Sequence, residues 1–252
     1  MGSPERQTND RVEAATIVEF FGLPGAGKSH VAALTRRGLS DLGISARLGD
    51  ARVSPDVAEH LRLPRKLRLV ANQGLSHPVR SIRVAGRIGA GQRDPSSALS
   101  RSVQWLVTQG LFALARRRGG VHLFQEGILQ VLWSVGLRGR LDRTLRVLGE
   151  DPSVRILPDL AVVVEAPMEV IRSRLRSRGS RHSRTERLAG DELEAELTRG
   201  DGLLVELLAW WESAGGPDRV VRVNNGGDEP PDIDEALRRI ASLATPGPEQ
   251  GA

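Results

Sequence analysis

One stretch constrains the chain more than any other. Gly22-Leu23-Pro24-Gly25-Ala26-Gly27-Lys28-Ser29 matches the pattern GxxxxGK[ST] in full. It directly follows an apolar strand expected over 16–21 and directly precedes an amphipathic helix expected over 28–39, the context that the pattern requires. Gly22, Gly25, Ala26 and Gly27 let backbone N–H groups converge on a β-phosphate at the positive end of the helix. Lys28 can span β- and γ-phosphates, the Ser29 hydroxyl can ligate Mg²⁺, and His30 stands next on the helix at the rim. The pattern points to ATP and Mg²⁺ as cofactors.

The rest of the sequence narrows the setting. With 252 residues and 39% hydrophobic content the chain can bury one substantial core. Its net charge of +5 comes almost wholly from arginine, since only Lys28 and Lys66 are lysines. Arginine binds oxyanions bidentately and suits phosphate-rich ligands, and the same excess also fits a plain compositional habit. There is no cysteine, which excludes disulfides, zinc-cysteine sites and cysteine nucleophiles. No apolar run reaches the roughly 18 residues of a membrane span, so a soluble, cytoplasmic protein is expected. The histidines lack metal-ligand spacing, and the basic charge interleaves few aromatics, which argues against a nucleic-acid partner.

Along the chain, short apolar runs at 16–21, 45–48, 121–124, 161–164 and 220–223 alternate with helical patterns at 28–39, 55–63, 97–117, 141–148, 169–178, 191–213 and 233–243. A further helical pattern with Leu129, Leu132 and Trp133 follows the third run. This alternation is the signature of an α/β fold: a parallel sheet with helices on both faces, a three-layer sandwich. One domain over 14–244 is expected, with a helical insertion at 65–94 and disordered ends at 1–13 and 245–252. Trp133, Trp210 and Trp211 read as packing residues, with one of the pair partly exposed.

In such sheets the chemistry gathers beyond the carboxyl ends of the strands. After the second run stand Asp50 and Arg52, an acid that can prepare an acceptor hydroxyl and an arginine that can hold an anionic acceptor. After the third come Gln125 and Glu126. Glu126 fills the place of an acid that organises Mg²⁺ or touches the acceptor, and Gln125, which stands where a Walker B aspartate is usual, is expected to contact the acceptor. After the last strand, Asn224 stands in a segment that reads first as a plain turn.

GLPGAGKS and Gly49-Asp50-Ala51-Arg52 resemble the phosphate loop and the post-strand element of adenylylsulfate kinases. The third strand and its acid resemble those of thymidylate-kinase-like and deoxynucleoside-kinase-like proteins. The fourth run, followed by a proline, a helix and Arg174-Leu175-Arg176-Ser177-Arg178-Gly179, resembles the approach to their arginine-rich lid, here over 172–187. The resemblance implies a five-stranded P-loop NTPase sheet ordered 2-3-1-4-5. It implies that Arg174, Arg178, Arg181 and Arg184 meet phosphates or acceptor, and that a γ-phosphoryl group passes to a small-molecule acceptor; the sequence itself leaves the oligomeric state open, a homodimer included. Such kinases pass a loop under the adenine after the last strand, which implies a contact from Asn224 to the base. A nucleotide-switched regulatory ATPase without such an acceptor remains the alternative.

Overall fold

The strands form from β-branched and aromatic residues that are apolar toward both sides. β1 (Ala15–Phe21) and β4 (Leu160–Glu165) are buried almost end to end, as strands covered on both faces must be. With β2 (Ala46–Leu48), β3 (Gly120–Phe124) and β5 (Val220–Asn224) they make one parallel sheet in the order β2-β3-β1-β4-β5. The computed structural model describes residues 14–49, 78–92, 94–150, 157–177, 185, 188–215, 217–227 and 229–245. All five expected strands are present within a residue of the expected bounds. The edge strand β5 alternates, burying Val221 and Val223 and exposing Arg222 and Asn224, which places a charge on an edge that would otherwise invite pairing.

Helices α1 (Lys28–Asp41) and α8 (Asp234–Ala244) pack on each other and on β1. Helices α3 (Pro95–Arg118) and α4 (Ile128–Arg138) also pack on β1, and α7 (Gly190–Gly215) lies on α4. The core runs between these layers through Phe20, Phe21, Phe112, Phe124, Trp105 and Trp211, with the Phe112 and Phe124 rings 4.5 Å apart. Trp133 is buried and donates to the Gly200 carbonyl at 2.7 Å, Trp211 is fully buried and Trp210 partly exposed. The tryptophans are packing residues, as the sequence suggested.

Helix α2 (Pro78–Ala90) is the described part of the insertion. It lies against α3, burying Val84 and Ile88, and its Ala85 carbonyl accepts from Ser102 Oγ at 2.7 Å. The helix expected at 55–63 and the segment 65–77 lie outside the described residues. α3 begins at Pro95, two residues earlier than expected, because Asp94 caps it and proline is preorganised for the first helical position. The Ser96 hydroxyl and then the Ser97 amide hold the Asp94 carboxyl down at about 2. Helices α5 (Leu141–Glu150) and α6 (Met168–Ser177) complete the described helical layers. Among the described residues no helix is long and apolar enough to cross a membrane.

One ionic clamp ties the sheet to α3. Arg116 donates bidentately to Asp159, at 2.7 Å to each oxygen, and also to the Ala15 carbonyl. Asp159 in turn accepts the Ile17 amide at 2.7 Å, which fixes where β4 starts beside β1. Arg116→Ala removes a bidentate, charge-assisted contact and strands a partly buried carboxylate. A loss of about 2 kcal/mol in unfolding free energy is expected by denaturant titration.

Candidate active site

The loop between β1 and α1 folds as its glycines dictate. Gly25 and Gly27 have φ of 89° and 96°, in the left-handed region, and a side chain at Gly27 would also overlap the Asn225 amide. The Ala26 amide closes the loop on the Leu23 carbonyl at 3.1 Å. Gly27 caps α1 with no side chain, and the first turn of α1 holds no acid, so its positive end stands unneutralised by a carboxylate.

Lys28 Nζ folds back onto the loop, donating to the Gly22 carbonyl at 2.8 Å and to that of Leu23 at 3.2 Å. Ser29 is exposed, and its hydroxyl donates to Gln125 Oε1 at 2.7 Å. Two residues 96 apart in sequence, one from the loop and one from the end of β3, therefore meet where the sequence placed a metal. Glu126 is exposed beside them, and His30 is exposed on α1, its amide bonded to the Gly27 carbonyl. Asp50, Arg52, Arg178, Arg181 and Arg184 lie outside the described residues.

Arg174 takes a place that the sequence did not suggest. From α6 its guanidinium donates to the carbonyls of Ala26 at 3.1 Å, Gly25 at 3.4 Å and Asn225 at 2.8 Å. Asn225, buried, also donates from Nδ2 to the Ala26 carbonyl at 2.8 Å, and its amide bonds to the Glu165 carbonyl. A peptide plane directs its C=O and N–H oppositely. Pinning the Ala26 carbonyl outward therefore turns the Gly27 N–H the other way. Asn224 accepts the Gly226 amide in a local turn, the plainer of the two sequence readings, and its neighbour Asn225 is the one that reaches the loop. Arg174→Ala should free the loop and raise the ATP dissociation constant about tenfold, about 1.5 kcal/mol, in a nucleotide titration.

Sequence reading also missed Glu19. It is fully buried in β1, where Oε2 accepts the Leu129 amide at 3.1 Å and Oε1 the Gln130 amide at 2.9 Å. Burial pushes its carboxyl up to about 7, against the lowering effect of those amides. The signal was present: an acid amid the apolar run Ile17-Val18-Glu19-Phe20-Phe21 of a strand covered on both faces.

The loop, followed by α1, stands at the carboxyl end of the central strand of a parallel 2-3-1-4-5 sheet. This is a P-loop fold. Solved structures similar to the chain include thymidylate kinase from Candida albicans, at TM-score 0.48 and 15% identity over 91% of each chain. Thymidylate kinase from Ehrlichia chaffeensis is similar at TM-score 0.47 and 12% identity, over 91% of this chain and 98% of that one. No family model matches the chain, and no curated protein matches it.

Helices α3 and α4 carry polar side chains that are not all satisfied. Burial lowers the pKa of half-buried Arg101, helped by the charge of Arg138 and opposed by that of Glu126. Among the described residues, Arg101 Nε, Gln109 Nε2 and Gln130 Oε1 are buried without a hydrogen-bond partner. Such atoms in a folded protein call for a ligand or water. A cavity of about 410 Å³ with mixed apolar and charged walls opens between α6 and α7, lined on one side by Leu23 and Ala26 of the loop. Lys28, Ser29, Gln125 and Glu126 do not line it, so the loop and not this cavity locates the chemistry.

The residues present fit a nucleotide-borne Mg²⁺. Ser29 and Gln125 bring two neutral oxygens together with Glu126 adjacent, and no group of three or more acids, histidines or cysteines that could hold a metal occurs among the described residues. Mg²⁺ ordinarily takes one or two protein oxygens plus phosphate oxygens and water, which is what this donor set offers.

Proposed function

We propose that the chain is a cytoplasmic kinase that transfers the γ-phosphoryl group of ATP to a hydroxyl or phosphate group of a small molecule such as a nucleoside, a nucleotide or a related metabolite. The observation that carries the reading is the Ser29–Gln125 contact at 2.7 Å, which joins the phosphate loop to the end of β3. In this reading the loop amides and Lys28 hold the β- and γ-phosphates, while Ser29, Gln125 and Glu126 face the metal. Bound with ATP, Mg²⁺ supplies charge neutralisation on the phosphate oxygens. The acceptor approaches from the α3–α4 side, where Arg101 and the unsatisfied amides of Gln109 and Gln130 offer both donors and an acceptor. Asp50 prepares its hydroxyl, Arg52 and Arg184 hold its anionic groups, and Arg178 and Arg181 stabilise the transferring group.

One observation favours a second reading, a nucleotide-switched regulatory ATPase. The group that meets Ser29 is an amide where a Walker B carboxylate is usual in P-loop kinases. ATP consumption with Mg²⁺, measured alone and against pooled nucleosides, nucleoside monophosphates, sugars and hydroxylated metabolites, separates the two. Acceptor-dependent ADP release that Lys28→Ala abolishes supports the kinase; release indifferent to every acceptor supports the switch.

A further inference from the structure

We propose that Glu19 is a positioning residue: it holds the first turn of α4 from beneath and thereby sets where Gln125 and Glu126 stand opposite Ser29, and so how tightly the nucleotide's divalent cation is bound. The inference rests on the reading of the loop as a Mg–nucleotide site.

The first turn of a helix leaves four N–H groups without an intrahelical partner. In α4 the capping position is Gly127, which has no side chain to offer them. The cap comes instead from a residue 110 positions away in sequence, and each carboxylate oxygen of Glu19 takes one amide, Leu129 on Oε2 and Gln130 on Oε1. Gly127 lies so close above this carboxylate that a Cβ there would overlap Glu19 Cδ and Oε2. The turn 125–127 therefore rests on Glu19.

Both ends of this contact sit on rigid backbone. Glu19 pairs in register with Phe124 of β3 and with Ala161 of β4, so it is held on both sides. Phe124 immediately precedes Gln125, and Glu19 stands three residues before Gly22. One side chain thus bridges the strand that launches the phosphate loop and the helix whose preceding turn faces that loop. Groups that orient a metal's ligands without touching the metal control its affinity strongly.

A cap that serves stability alone predicts something different. Its loss would lower the melting temperature and leave the Mg²⁺ dependence of nucleotide binding where it was. Glu19→Gln keeps the shape but sets an NH₂ group against a backbone N–H, so one of the two contacts is lost. ATP binding by the full chain is measured calorimetrically in EDTA and over a series of Mg²⁺ concentrations, with thermal melts as the check of folding. The Mg²⁺ concentration giving half-maximal enhancement of ATP binding is expected to rise about tenfold in Glu19→Gln, with affinity in EDTA unchanged. If Glu19→Gln does not fold, Glu19→Asp, which keeps the charge but is a methylene shorter, is read in the same way. A folded variant that titrates with Mg²⁺ like the parent overturns the proposal. A parent protein that binds no ATP at any Mg²⁺ concentration overturns the reading of the loop and this inference with it; only in the former case does the parent respond to Mg²⁺.

Discussion

Replacing Lys28 by alanine is expected to lower acceptor-dependent phosphoryl transfer by about a hundredfold or more, equivalent to about 2.7 kcal/mol of transition-state stabilisation. The lysine is the group in the loop whose charge can follow the γ-phosphoryl as it moves. In the structure its ammonium rests on the Gly22 and Leu23 carbonyls, within the loop that would surround the phosphates. Turning from those carbonyls to phosphate oxygens exchanges neutral acceptors for charged ones, a gain that grows as charge develops on the transferring group. The alanine variant keeps the glycine backbone and the unneutralised end of α1, so ATP binding should weaken less than turnover does. Paired nucleotide titration and initial-rate measurements read this as a fall in kcat that exceeds the rise in the ATP dissociation constant. A rise in the ATP dissociation constant with kcat unchanged would mean that Lys28 holds ground state and transition state alike. Lys28→Arg should not rescue turnover, because a planar guanidinium cannot occupy the place of a compact ammonium between two loop carbonyls.

What could be read in advance depended on whether a residue's role is local. The loop was legible because its glycine conformations, its lysine and its helix are all set within a dozen consecutive residues. The strands were legible because burial on both faces leaves near-continuous apolar runs, as in Leu160–Glu165. The strand order needed the family resemblance, since pattern alone does not rank parallel neighbours. Contacts across the sheet were the part that sequence hid. The contacts of Arg174 to the carbonyls of Gly25, Ala26 and Asn225 were not legible, because those partners are backbone atoms with no sequence signature. Glu19 was passed over as part of a strand because the helix it caps begins more than a hundred residues later. Asn225 and Asn224 are neighbours of one type, and only the curl of the chain after β5 decides which of them meets the loop.

The pH dependence of stability provides the second large effect, and Glu19 dominates it. The Glu19 carboxyl titrates at about 7 in the folded chain, against 4.5 when exposed, because burial disfavours its charged form more than the amides of α4 favour it. Between these values the native state keeps a proton that the unfolded chain has released. Stability from this group is therefore complete below 4.5 and is lost as pH rises toward 7. The shift corresponds to about 3 kcal/mol. His122 acts in the opposite sense: burial lowers its pKa below 6.5, so stability rises as the unfolded imidazole loses its proton. Asp94 and Asp142, both lowered from 3.8, contribute stability that is fully present across the Glu19 window and is lost only in more acid solution. The comparison with Glu19→Gln cancels all three. Urea unfolding of both proteins at intervals from pH 4.5 to 8 should show the parent losing about 3 kcal/mol relative to the variant across that range. Parallel curves would mean that the amides at the start of α4 outweigh burial and keep Glu19 ionised throughout, a fixed carboxylate beneath the turn that bears Gln125 and Glu126.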